Sequence, residues 1–169
     1  MKHRQMDEGF DWVFKAEGAD AQIVRLKEWA KTSQAVVPVV RIGVGAEKPV
    51  WDLPEGMPET GIKIQEDIPE GMGETTLQLE WRRVKAFITP GSNMNNLPPA
   101  RREQQWCNIL EGIHHKEARI LTAVKDGKLL EIYPQLEALL EPLGITEYNK
   151  PETKPKRKAR AKKGVKKAS

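Results

Sequence analysis

The sequence predicts a mainly α protein: a small helical domain, a loop-rich Pro/Gly middle segment and a disordered basic C-terminal tail. Three observations carry that expectation. Apolar residues recur at i, i+3, i+4 and i+7 spacing in one segment after another. Threonine, proline and glycine stand at the ends of those segments, where helices start and stop. From Asn149 onward apolar residues nearly vanish, and lysine, arginine, proline and alanine dominate. At 169 residues the chain allows one domain of ordinary size plus an appendage. The expected division is a frayed terminus at 1–9, a helical domain at 10–148 with a loop-rich stretch at 43–74, and an arm at 149–169.

The elements follow in order. Within FDWVFKAEGADAQIVRLKEWAKTSQ, Asp20 is placed to cap a helix whose Ile23, Leu26 and Ala30 share a stripe with Trp29 beside it. AVVPVVRIGVG is ambiguous. Its β-branched residues favour a strand, while Pro38 and two glycines oppose a central one. Residues 52–66 and 67–81 echo each other around Pro-Glu-Gly-Met, which reads as two similar turns. Thr75 and Gln78 match a capping box, and Leu77, Trp81, Val84 and Ile88 continue the helix they would open. Pro98 and Pro99 suit the start of the next helix, with Trp106, Ile109, Leu110 and Ile113 inward. KEARILTAVKD follows with Leu121 and Val124 inward and Gly127 as its stop. A last helix from Pro134 buries Leu136, Leu139, Leu140 and Leu143 and ends at Gly144.

Charge is unevenly spread. Of 28 Lys/Arg and 24 Asp/Glu, ten bases and one acid lie in 150–169, which gives that segment +9 and leaves −5 on the rest. Such asymmetry points to a polyanion partner. A segment so poor in apolar residues cannot bury enough surface to offset its ordering entropy.

Reaction chemistry is hard to find. His115-x-Glu117 matches the start of a zinc-deaminase motif, but that site also needs Pro-Cys-x-x-Cys and the chain has one cysteine, Cys107. Neighbouring helical histidines point about 100° apart, so His114 and His115 read as helix-start residues rather than metal ligands. Cys107, beside Trp106, reads as core filler. RIGVGAEK lacks the third glycine of a dinucleotide loop, and no Gly-Lys-Ser/Thr is present. Trp29, Trp81 and Trp106 fall on or beside apolar stripes and read as core. The carboxylates read as solvated helix faces and turns. The expectation is a non-enzymatic protein with no cofactor and no metal. No run approaches the ~18 apolar residues of a membrane span, and no N-terminal leader pattern is present, so a soluble intracellular protein with no membrane partner is expected.

Several motifs occur together: Trp51, Leu53, Pro54, Glu55 and Gly56 in a turn; Arg82 and Arg83 in a middle helix; Leu110 to His114 at a helix end; Glu117 and Ala118; and Val124 to Leu129. This combination resembles a family of small, functionally uncharacterised proteins of tailed bacteriophages, over residues 25–145. At His115 that family usually has proline or another helix-start residue, and VVPVVRIGV is less helical than its pattern. The resemblance implies a phage origin and a mostly helical fold. It implies no activity and no basic tail.

The expected function is non-specific nucleic-acid binding by a phage accessory protein. Its contacts would be Lys150, Lys154, Lys156, Arg157, Lys158, Arg160, Lys162, Lys163, Lys166 and Lys167. Cations near a duplex release condensed counterions, and phosphate contacts carry no base information. The alternatives are an adaptor for a phage or host protein, and a virion component whose tail contacts packaged DNA or an acidic partner. For these, Arg82, Arg83, Lys125, Asp126 and Lys128 form a candidate partner surface; Lys125, Asp126 and Lys128 are expected to be exposed, and read first as a solvated helix end. The expected location is the host cytoplasm or the virion.

Overall fold

A computed structural model describes residues 5–58, 75–90 and 92–150. Among the described residues the secondary structure is helical, with no strand. The α-helices are α1 (Met6–Phe14), α2 (Ala19–Thr32), α3 (Val36–Val44), α4 (Leu77–Ile88), α5 (Pro99–Gly112), α6 (His115–Asp126), α7 (Leu129–Ile132) and α8 (Glu137–Leu140). Short 3₁₀ turns lie at Asn93–Asn96 and Pro134–Leu136.

The helix α6 is the hub. Ala118, Ile120, Leu121, Ala123 and Val124 are all buried, and a helix apolar on several sides belongs in an interior. It packs on α1, α3, α5 and α7, while α2 touches α1, α3 and α8, and α4 lies against α5. Trp29, Trp81 and Trp106 are core residues, as expected, and Trp51 joins them. Trp106 meets the rings of Trp51 and Phe87 edge-on, at 5.6 and 5.1 Å between centroids. Gly9 lets α1 come so close to α2 that a Cβ there would collide with the Trp29 indole ring.

Several local expectations change. The ambiguous segment is α3, a helix. Pro38 occupies its third position, where the missing N–H has no intrahelical partner to lose. Val36, Val39, Val40, Ile42 and Val44 are all buried, and tertiary burial outweighs their strand preference. The loop expected from 43 therefore starts after Val44. The N-cap of α4 is Thr76 rather than Thr75, with its side chain accepting from the Leu79 N–H. Helix α1 begins inside the stretch expected to fray, with Met6 fully buried. The second Pro-Glu-Gly-Met echo lies outside the described residues.

One acid expected on a solvated face is fully buried. Glu117 sits in the first turn of α6 with 0 % exposure. Its Oε2 accepts from the Met6 N–H at 2.7 Å and its Oε1 from the Leu77 N–H at 3.0 Å. Those amides open α1 and α4, and neither has a partner within its own helix. Burial pushes the Glu117 carboxyl up to about 7; the Met6 and Leu77 amides pull it down, and Asp7 and Glu8 add to the rise.

The folded protein therefore holds this proton up to a higher pH than the unfolded chain, whose carboxyl titrates near 4.5. Stability from this group is present below about 4.5 and is lost as pH rises through about 7. The total is on the order of 3 kcal/mol. Glu117→Gln does not titrate and turns an amide donor toward one of the two N–H groups, which costs about 1–3 kcal/mol. In urea unfolding at pH 5, 6.5 and 8, the wild type's advantage over Glu117→Gln is expected to shrink with rising pH. A constant gap rules out the raised titration.

Candidate functional site

The Trp-x-Leu-Pro-Glu-Gly turn and the Val-Lys-Asp-Gly-Lys-Leu stop, 70 residues apart in sequence at Gly56 and Asp126, meet in space. Lys125 Nζ donates to the Pro54 carbonyl and to Asp126 Oδ1, each at 2.6 Å. Asp126 Oδ2 accepts from the Gly56 N–H at 3.0 Å. The Lys125 and Asp126 side chains are 3 % and 9 % exposed, so this is a buried clamp holding the turn against the end of α6. Lys128 adds an outer contact, with its Nζ 3.0 Å from Glu55 Oε2. That bond holds the Glu55 carboxyl below its ordinary range and the Lys128 ammonium above its own. Both groups stand in solvent, so the pair adds little stability. Arg102 ties the same region down by donating to the carbonyls of Asp52, Met94 and Leu97.

The arm leaves the body beside this clamp. Asn149 donates its backbone N–H to the Val44 carbonyl at 2.7 Å and its side-chain amide to the Gly127 carbonyl at 3.1 Å. It thus bridges the C-terminal ends of α3 and α6. Gly45 and Gly127 occupy the left-handed caps of those helices, at φ 88° and 71°. A Cβ on either would collide with the Asn149 amide. Both positions therefore suit glycine twice, for conformation and for space. Tyr148 fixes the preceding residue by donating to Glu137 Oε2 at 2.9 Å. Asn149, assigned by composition to the arm, belongs to the body. Lys150 is exposed, and the other nine cations of the arm lie outside the described residues.

The candidate partner surface changes accordingly. Lys125 and Asp126, expected to be exposed, are internal because each satisfies the other's charge while binding the turn. Lys128 is exposed beside them. Arg82 and Arg83 are exposed on α4, with Arg83 Nη1 2.7 Å from Glu80 Oε1. The surface thus splits into two places and loses its middle.

His114 caps α6, its Nδ1 accepting from the Lys116 N–H at 3.2 Å, and its ring lies 4.2 Å from that of His115. The pair is a helix start, as read from the sequence. Among the described residues no group of three or more His, Cys, Asp or Glu is arranged to hold a metal ion. Cys107, expected in the core, is only partly covered. It lines a groove with the turn residues Leu53–Pro58. Burial, then Glu111 and Glu103, push its thiol up, which makes it a poor nucleophile. No helix of the described residues is long and apolar enough to cross a membrane.

Sequence reasoning missed Glu117 and Asn149. Glu117 carries one local signal, since it falls at the third helical position after the cap, where an acid turns back on its own N-terminus. Here it reaches two other helices instead. Asn149 carries none.

Asp126→Ala is expected to leave the buried Lys125 ammonium without its counter-charge and the Gly56 N–H without its acceptor. A loss of about 3–5 kcal/mol is expected in urea unfolding, with faster amide exchange at Gly56. An unchanged midpoint places the clamp at the surface.

The stretch that contains the turn, the clamp and the hub helix is also the stretch that a family model matches, over residues 12–131. No curated protein matches the chain. No solved structure matches it. The chain belongs to a family of unknown function, DUF6433.

Proposed function

We propose that this is a non-enzymatic phage accessory protein that binds nucleic acid non-specifically through its cationic arm. The observation that carries the reading is the concentration of +9 in residues 150–169 against −5 on the rest of the chain. The anchoring of Asn149 supports it, because the charged run begins at the very next residue, Lys150, which is exposed. Phage origin rests on the likeness of the turn and clamp motifs to proteins of tailed bacteriophages. The host cytoplasm or the virion is the matching location.

The chemistry is counterion release. Each phosphate neutralised contributes about −0.9 to the slope of log K against log salt on duplex DNA. Five to eight engaged cations give a slope of about −4.5 to −7. The arm beyond Lys150 contains no aromatic residue for base stacking, so affinity is expected to be indifferent to sequence.

A gel-shift salt series compares the full chain with a 1–149 truncation, which keeps Asn149 and its two anchoring bonds. The full chain is expected to bind random-sequence duplex at low salt and to release it steeply as salt rises, while the truncation does not bind. Equal binding by both, or binding by neither at low salt, overturns the proposal.

A further inference from the structure

Helices α2 and α3 and the chain after α8 line a mostly apolar groove of about 180 Å³. Leu26, Val36 and Val40 belong to both the groove and the core. Ala30 and Leu143 also line it, and Val37 stands in it 51 % exposed. An exposed branched aliphatic side chain over an apolar depression marks a surface suited to receiving a partner. The volume suits one large aliphatic or aromatic side chain, the size of an interface anchor.

The lining also includes two cations, Lys27 and Arg41. Lys27 is exposed and has no ion pair with any described residue. Arg41 Nε lies 2.6 Å from Glu47 Oε2, but the two side chains are 41 % and 52 % exposed. A pair so open to water is worth little and exchanges readily for another carboxylate.

Charge and apolarity together sort the occupants. The cationic arm fits poorly, since it shares the sign of Lys27 and Arg41 and offers a single branched aliphatic residue, Val165. Nucleic acid answers the cations but has no anchor for the apolar seat. An amphipathic helix answers both when its apolar anchor enters the groove and its carboxylates face the cations. We propose that this groove docks an acidic amphipathic helix of a partner protein, with an aliphatic or aromatic side chain seated between α2 and α3 and carboxylates against Lys27 and Arg41. This site is separate from the arm, and its test does not depend on nucleic-acid binding.

The probe is a fluorescein-labelled helical peptide of about fifteen residues, with Leu at i, i+3, i+4 and i+7, three Glu flanking that stripe and Ala elsewhere. Anisotropy is measured against the full chain. A Glu/Ala peptide of equal charge reports whatever the arm binds by electrostatics alone. The Glu/Leu peptide is expected to bind at least about tenfold more tightly than Glu/Ala, and to lose about that factor with Val37→Asp and with Lys27→Glu. Both substitutions are at exposed positions, and thermal melts confirm their folding. Equal binding of the two peptides, or indifference to both substitutions, overturns the proposal. Sedimentation of the wild type supplies a further outcome. A concentration-dependent dimer abolished by Val37→Asp assigns the groove to a second copy of this chain and also overturns it.

Discussion

The architecture depends on one carboxylate. Glu117 ends the search of two helix N-termini for acceptors, at Met6 and at Leu77, from positions 111 and 40 residues away in sequence. Each oxygen serves one helix, so α1 and α4 are located relative to α6 by the same planar group. The positive ends of their dipoles converge on the site and favour negative charge there. Burial opposes that charge, and a titration near neutrality reflects the balance between the two. A hydrophobic side chain of similar size would avoid the desolvation penalty but leave two buried N–H groups without acceptors. The arrangement therefore sets the desolvation cost of one carboxyl against two satisfied N–H groups, and it fixes orientation, which apolar packing of α1 and α4 against the core does not do by direction alone.

The opposite end of α6 works by a different principle. The carbonyl of its C-cap, Gly127, accepts from the Asn149 side-chain amide, and the Val44 carbonyl at the end of α3 accepts from the Asn149 N–H. The Lys125–Asp126 pair at the same end holds the Pro54–Gly56 turn. One helix thus gathers two N-termini at its start, and a turn and the exit of the arm at its end. The buried pair is costly to desolvate, yet its two acceptors and two donors match, so the cost is offset where the geometry is complete. It also explains why a Lys-Asp-Gly-Lys sequence that reads as a solvated helix end is half internal.

What was legible in the sequence was periodic or compositional. The inward faces of α4, α5 and α6 follow from spacing alone, and the αL stop at Gly127 follows from its type. The charge of the arm needs only counting. What was not legible required three dimensions. The valines of α3 favour a strand locally, and only burial against α6 and α7 makes the helix the better choice. Thr75 and Thr76 are adjacent and chemically equivalent, so the cap slipped by one residue. Glu117, Lys125 and Asp126 carry a surface pattern in sequence because their partners lie 40 to 111 residues away. Local pattern carries no information about such pairs. The candidate arm was visible and its anchor was not, since Asn149 differs from its polar neighbours only in what it touches.

The two proposed contacts answer to opposite conditions, and that bears on how one small chain could serve both. Arm binding is driven by counterion release, so added salt removes the driving force. Groove binding rests on an apolar anchor, with Lys27 and Arg41 steering its approach and orientation. Salt screens that steering within about 10 Å at 0.1 M but leaves apolar burial intact. A protein holding a partner in the groove and nucleic acid on the arm would release the second first as ionic strength rises. The order is set by where each charge sits. The arm's ten cations belong to a segment with little apolar surface to bury, whereas the two at the groove border a seat that excludes water once filled. The remainder of the chain, at −5, adds no net attraction for phosphate to that of the arm. The two bonds of Asn149 fix where the arm begins on the body that also carries the groove.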